Sequence, residues 1–353
     1  IAAAVGEPLA SDWLANQTSN IPVFSWFTEV SYEVYPNIFY IYHFVLAYVL
    51  IFSLYKISSY FQPKLKHQVP TVLFFTSITF LNYIKIPILQ GVAGQYILGS
   101  VFQPSAFGVF LLASVAFFLH EKYKLTILCC LISAYFHPTY VLHAGILVFT
   151  YQLVLVGKKN YKLAINIGLL ALLLIFPIVY FMLSTFGNSA AEMSSIAQRI
   201  LVMERIPHHA LPGDFLLNIF TAFCLVMIGL AVFIGRDNSE FLKIISIPFC
   251  LSVIIVLTAF LTDSHFIMLL FGQRSSVWLV PISSAYIIAR LCTEVEWDKV
   301  FRINKTCLLA TFIVFMAFLS TYEIFKKSAN HFSHKSTQLF SALSQLNYRE
   351  GVL

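Results

Sequence analysis

The residues best suited to chemistry fall in two polar stretches. The later one holds Arg199, Glu204, Arg205-Ile206-Pro207-His208-His209 and Pro212-Gly213-Asp214. Twin imidazoles held between prolines and preceded by arginine make a compact cationic cluster. Arginine offers a planar fork for phosphate oxygens and stays charged throughout the working pH range. Each histidine can donate to phosphate, carry a proton or bind a metal. Vicinal histidines do not converge easily on one metal, and no nearby carboxylate spacing completes a zinc set. Phosphate recognition is the sharper expectation for the cluster, with Arg snorkelling to lipid phosphates as its rival. The earlier stretch, residues 1–36, carries Glu7, Asp12, Glu29 and Glu33 and no basic residue. Asp12, in Ser11-Asp12-Trp13-Leu14-Ala15-Asn16-Gln17, reads equally as a general base and as a helix N-cap. Together the two stretches suit attack by a hydroxyl on a phosphate-linked sugar. One carboxylate takes the acceptor proton, and cations stabilise the departing phosphate.

The elements that must position these residues are apolar. Of 353 residues, 59% are apolar and 11% charged, with 35 Phe, 18 Tyr and a mean hydropathy of +0.81. Soluble domains carry about 25% charged residues, so disorder, a collagen-like fibre, a disulfide scaffold and a soluble globule are all excluded. The expected fold is all-α, a polytopic transmembrane helix bundle. Helical spans need about 20 mostly apolar residues. Ten candidates lie near 37–55, 70–89, 104–119, 125–138, 139–156, 163–184, 214–234, 244–261, 276–291 and 306–322, and a further one is expected before Ile1. The net charge of +6 reports orientation and contact with anionic head groups, so no nucleic-acid partner is expected. The loop set 56–69, 120–124, 157–162, 235–243 and 290–305 holds 14 basic residues, against 8 in the alternate set. The first set is therefore read as cytoplasmic, with residues 1–36, loop 185–213 and the C-terminal tail outside. The six cysteines lie in or beside apolar stretches without metal-ligand spacing and read as small core hydrophobes.

The organisation expected is a first outer loop over 1–36, a helical domain over 37–322, and a polar outer tail over 323–353 that reads as the start of a further domain. Within 22–35, Val23, Phe27, Val30 and Val34 recur at helical spacing and predict an amphipathic helix lying on the membrane. Its wet face would hold Glu29 and Glu33. Segment 88–103 is too polar and Gly-rich to span. Pro138 predicts a break within Phe136-His137-Pro138-Thr139, and 266–271 is too short to cross. All sixteen acidic residues fall in loops or at span ends, which argues against an ion-coupled transporter. His43, His137, His143, Asn82 and Asn166 are the main polar groups inside the spans, and a structural role is preferred for each.

Four motifs carry a family resemblance: Glu7-Pro8-Leu9-Ala10-Ser11-Asp12-Trp13, Gln103-Pro104-Ser105-Ala106, Phe136-His137-Pro138, and Arg205-Ile206-Pro207-His208-His209-Ala210-Leu211-Pro212. With the helix and loop order, they make the chain resemble the GT-C superfamily of integral-membrane glycosyltransferases, in particular bacterial GT-C-like proteins of the Arg-x-Pro-His-His type. The resemblance covers most of the chain. It implies a multi-pass protein of the bacterial cytoplasmic membrane and cell envelope, with a polyprenyl-phosphate-linked sugar as donor and a glycan or protein hydroxyl as acceptor. By the same resemblance, Asp12 is the catalytic base of an inverting transfer. Arg205, His208, His209 and Arg199 hold the donor phosphate, with Glu7, Glu29 and His137 lining the cavity. The resemblance fixes no cofactor, and use of a divalent metal stays open, because the first loop lacks a DD or DxD pair. The alternatives are a non-catalytic membrane subunit of a polysaccharide assembly and, more weakly, a lipid transporter.

Overall fold

The structure, a computed structural model, describes residues 22–35, 37–99, 102–186 and 191–294. The expected span 306–322, the tail, and both Glu7 and Asp12 lie outside the described residues. Among those described the chain is all-helical, with one isolated bridge pairing Gln90 and Tyr96.

The helices run α1 (Pro22–Val34), α2 (Ile38–Phe61), α3 (Gln68–Tyr83), α4 (Val109–Leu119), α5 (Tyr123–Phe136), α6 (Tyr140–Gly157) and α7 (Tyr161–Phe186). They continue through α8 (Ala191–Ile200), the short α9 (Pro207–Ala210) and α10 (Pro212–Leu216), then α11 (Ile219–Ile234), α12 (Ser239–Thr262), the single turn α13 (His265–Met268) and α14 (Ser276–Glu294). Nine of the ten apolar stretches read from the sequence lie in this helical framework among the described residues. Five helical segments are long and apolar enough to cross a membrane: Ile38–Phe61, Tyr140–Gly157, Tyr161–Ser184, Ser239–Thr262 and His265–Glu294. The outward faces agree. On α7, Leu169, Leu172, Leu173, Phe176, Tyr180 and Leu183 are exposed, as are Tyr40, Ile41, Phe44 and Tyr48 on α2. Continuous apolar faces of this size are not sustained in water. They mark a membrane protein.

At the centre lies α14, buried almost throughout and packed on α2, α3 and α11. Trp278, Val280 and Ile282 have no exposed surface. Helices α4, α5 and α6 form a second packed layer against α2, α7 and α12. Inside it Ser114 Oγ lies 2.8 Å from the Tyr151 hydroxyl and 3.0 Å from Cys130 Sγ, so the polar atoms of that core satisfy one another. Of the cysteines, 129, 130, 224 and 292 are buried, as their reading as core hydrophobes requires. Cys250 is exposed on α12.

The helix expected over 22–35 forms as α1, but its packed face is displaced by one residue from the expected stripe. Phe24 and Phe27 stack into a cluster with Phe102, Phe107 and Phe136, and Ser31 is buried beside Tyr42. Val30, Val34 and Trp26 are exposed. Aromatic rings offer more contact area than valines, so the Phe24–Phe27–Ser31 edge turns inward.

Candidate functional site

At the end of the bundle formed by the start of α6 and the end of α12, three irregular segments meet around a four-residue 3-10 turn, Gly272–Ser275. They enclose a cavity of about 240 Å³ lined by Gly94, Gln95, Tyr96, Gln103, Pro104, Ser105, His137, His209 and Arg274. The opposite end carries the Lys158–Glu240 ion pair at 2.8 Å, with the Tyr60 hydroxyl donating to Glu240.

Local sequence explains how each side chain arrives. Proline disfavours the helical region for the residue before it. His137, preceding Pro138, accordingly has φ −144° and ψ 105°, so α5 stops at Phe136 and the imidazole leaves the helix axis. The break expected at that position is therefore real, and it delivers the histidine to the cavity. Gln103 is extended, also before a proline, and leads into the turn Pro104–Gly108. Gln95 follows the turn Val92–Gly94 in the stretch expected not to span. Phe271 adopts φ 50° and ψ 50°, left-handed backbone that a bulky side chain rarely takes. It bends the chain between α13 and α14 and sets up the 3-10 turn. Its side chain is buried with Val202, Ala210, Ala259 and Met268, and this small apolar cluster holds the bend.

The turn and the first residue of α14 are the hub of the site: Gln273, Arg274, Ser275 and Ser276 between them bind the stretches around residues 92–95, 137–143 and 209. Gln273 donates through Nε2 to the carbonyl of His209. Arg274 donates through Nε to Gln95 Oε1 at 3.5 Å and through Nη1 to Thr139 Oγ1, with His137 Nε2 at 3.4 Å. Ser275 Oγ lies 2.9 Å from His143 Nδ1. Ser276 Oγ donates to the Gln273 carbonyl and accepts the Val92 amide at 2.8 Å. Tyr140 lies beneath the guanidinium, 5.9 Å from ring centre to Cζ, and its hydroxyl donates to the Ser105 carbonyl.

Arg274 is half-buried, and among the described residues no carboxylate pairs with it. Three lining residues also keep a buried polar atom without a partner among the described residues: Gln95 Nε2, Ser105 Oγ and His209 Nδ1. Buried polar groups normally find partners because leaving one unmet costs about 1–3 kcal/mol. Their concentration around a lone cation makes the cavity chemically suited to an anion. Burial, reinforced by the neighbouring Arg274, pushes the His137 imidazole down to about 3 and holds it neutral. Burial, then His208, then Arg274 lower His209 in the same direction.

The candidates named from the sequence divide cleanly. His137 and His209 line the cavity. Glu29, Arg199, Arg205 and His208 are exposed and outside its lining. On the short helix Pro207–Ala210 successive residues point about 100° apart, so one imidazole of the pair faces inward and the other outward, with ring centres 4.0 Å apart. Glu7 and Asp12 lie outside the described residues. Three of the four motifs nevertheless converge, since Gln103-Pro104-Ser105, His137 and His209 share one cavity. Sequence reading missed Arg274 and Gln95. Arg274 had a signal: from Lys243 to Arg290 the only intervening charges are Asp263 and Arg274, and an ionisable residue inside so apolar a run is a functional candidate by default.

No protein-family model, curated protein or solved structure matches this chain. Among the described residues no group of three or more His, Cys, Asp or Glu side chains is placed to hold a metal. The groups a transporter would use do not line a common route. His143 is sealed in the core against Ser275, and Asn82 is exposed at the end of α3.

Proposed function

We propose that the chain is a membrane glycosyltransferase of the GT-C kind, moving a sugar from a polyprenyl-phosphate donor to a hydroxyl acceptor. The observation that carries this reading is Arg274, a half-buried guanidinium with no carboxylate partner among the described residues, set in a polar cavity at one end of an apolar bundle. A lipid-borne phosphate presents its charge at that depth, and a preorganised cation in a low-dielectric site stabilises charge that develops on a leaving group. The bundle is read with ten spans, in a bacterial cytoplasmic membrane. The cavity segments 88–103, 136–139, 201–211 and 262–275 all belong to the outer side by the distribution of basic residues.

In this reading Asp12 takes the proton of the acceptor hydroxyl as its oxygen attacks the anomeric carbon. The bond from that carbon to the phosphate oxygen breaks, and the electron pair leaves with the phosphate. Arg274, with Gln95 and His209 beside it, compensates the second negative charge that the departing phosphate acquires. One base and no protein nucleophile on the opposite face give direct displacement with inversion.

The test is release of polyprenyl phosphate from polyprenyl-phosphate sugars extracted from bacterial membranes, using the full chain in proteoliposomes and mass spectrometry. Release is expected with the native chain. Asp12→Asn is expected to abolish it while donor binding and melting temperature stay unchanged. Full turnover by that variant would remove Asp12 from the mechanism, and absence of release by the native chain would remove the reading itself.

A further inference from the structure

A second cavity, a groove of about 520 Å³ between α5, α6 and α7, shares no lining residue with the site around Arg274. Leu169 and Leu172 belong both to its lining and to the exposed apolar face of α7, so the groove opens toward lipid. Apart from Gln152 and Cys130 the lining is apolar. Both of these side chains are engaged elsewhere: the Gln152 amide donates to the Ala164 carbonyl at 3.2 Å, and Cys130 Sγ lies 3.0 Å from Ser114 Oγ. Gly168 leaves the room that the Gln152 amide occupies. Gly145 is exposed on the groove wall, and a Cβ there would meet nothing within 4 Å. What the groove offers an occupant is hydrocarbon surface.

On α6 the lining runs from Val141 to Gln152 and on α7 from Ile165 to Ile175. At 1.5 Å per residue this is roughly 15–16 Å, the depth of one leaflet of a hydrocarbon core about 30 Å thick. One end of the groove starts about one helical turn from the connections 120–124 and 157–162, which join these helices to the rest of the bundle and to one another. Those connections hold five lysines and one carboxylate, Glu121. Lys158 is paired with Glu240. Lys122, Lys124, Lys159 and Lys162 are exposed, and no ion pair among the described residues engages them. We infer that the groove seats an acyl chain of an anionic phospholipid from the leaflet on the lysine side, with its phosphate held by Lys159 and Lys162. This goes beyond the transfer reaction and does not depend on it. Lysine stems lie along apolar surface while their heads reach the interface, where basic side chains attract anionic lipid. Two other occupants fit worse. A helix about 10 Å across laid along the same length would fill roughly 1,250 Å³, more than twice what the groove encloses. A second copy in the same membrane orientation, packed face to face, would set its own lysines against these, like charge on like charge.

The experiment titrates the full chain in detergent at pH 7.5 and reads bound lipid by native mass spectrometry. The probes are dioleoyl phosphatidylglycerol, dioleoyl phosphatidylcholine with the same chains and no net charge, and glycerol phosphate as the anionic head group without chains. Phosphatidylglycerol is expected to bind at least tenfold tighter than phosphatidylcholine, and glycerol phosphate not to bind. Lys159→Asn combined with Lys162→Gln is expected to bring phosphatidylglycerol down to the level of phosphatidylcholine; both positions are exposed, and asparagine tolerates the left-handed backbone of Lys159, φ 61°. Gly145→Leu fills the open wall of the groove and is expected to weaken both phospholipids at least tenfold. Its melting temperature is expected to hold or rise, because leucine replaces a helix-weakening glycine where the space is empty.

Equal binding of the two phospholipids would overturn the anionic assignment, and equal binding of glycerol phosphate would reduce the site to surface charge. Unchanged phosphatidylglycerol binding by a well-folded Gly145→Leu protein would remove the groove from the site. Failure of the native chain to retain either phospholipid would overturn the inference outright. A lowered melting temperature of Gly145→Leu would then assign the groove to residues 306–322, and loss of a dimer to a second copy.

Discussion

Gly91 provides a test of how the cavity is held together. Its φ of −106° and ψ of −174° are ordinary extended values, so a side chain there carries no conformational penalty and the whole effect is steric. A methyl group would sit 2.5 Å from Ser276 Oγ, 2.7 Å from the Val277 amide nitrogen and 2.9 Å from the Ser276 carbonyl carbon. Two of these atoms are backbone in the first turn of α14, the most buried helix, and cannot rotate away. Restoring ordinary contact requires loop and helix to part by more than half an ångström, which breaks the 2.8 Å bond from the Val92 amide to Ser276 Oγ. Overpacking costs about 1–3 kcal/mol, and orphaning a buried donor costs about 1–3 kcal/mol more. Gly91→Ala should therefore destabilise the attachment of this loop by roughly 2–6 kcal/mol. Gly94, with φ +64° and nothing within 4 Å, should lose only the left-handed penalty of about 1–2 kcal/mol on the same substitution. Hydrogen exchange at the Val92 amide in the full chain reads the local opening energy directly. Two results would refute the reasoning: a Gly91→Ala change below about 0.5 kcal/mol, or complete rescue by adding Ser276→Ala, since removing the hydroxyl leaves the clash with Val277 in place.

Two further predictions follow from the groups around Arg274. His137 is neutral in the folded chain with its pKa near 3, against about 6.5 for an unfolded histidine. Below pH 6.5 the unfolded chain binds a proton that the folded chain does not, so stability is full above that value and falls as the pH drops toward 3. The slope is about 1.4 kcal/mol per pH unit, or roughly 2 kcal/mol between pH 6.5 and 5. His209, lowered in the same direction, adds to the fall. Thermal melts in detergent should show it, and His137→Gln should remove the larger part; an unchanged pH dependence would mean His137 is not the group responsible. Separately, Arg199→Ala and Arg205→Ala should each weaken binding of farnesyl methyl phosphate, a short singly charged mimic of the donor, by less than threefold, because both side chains are exposed outside the cavity. A loss from Arg205→Ala as large as that from Arg274→Gln would move the anion site to the surface.

Hydropathy was enough to locate the helices because lipid leaves the backbone no partner except itself. Nine apolar stretches contain helices where the pattern placed them, and five of these lie in segments long and apolar enough to cross a membrane. The break before Pro138 was equally legible, since it follows from one residue's sterics. The face of α1 was not: period alone favoured Val23, Phe27, Val30 and Val34, and the choice of Phe24 and Phe27 depends on Phe102, Phe107 and Phe136, which arrive from elsewhere in the chain. The site shows the same division. Three motifs were visible as local chemistry, and they converge. That His209 rather than His208 turns inward depends on how Gln273 and the small apolar cluster around Phe271 seat the loop. Arg274 looked like an isolated loop cation in sequence. Its importance comes from four neighbours, Gln95, His137, Thr139 and Tyr140, supplied by two segments distant from it in the chain.

The most direct test of the account is an electron-density map of the full chain in nanodiscs with farnesyl methyl phosphate bound. The account predicts the phosphorus inside the cavity, with a non-bridging oxygen within hydrogen-bond distance of Arg274 Nη2 and the prenyl chain leaving toward the apolar face of the bundle. A head group resting on Arg199 or Arg205, or a carboxylate from residues 1–21 filling the place beside Arg274, would contradict it.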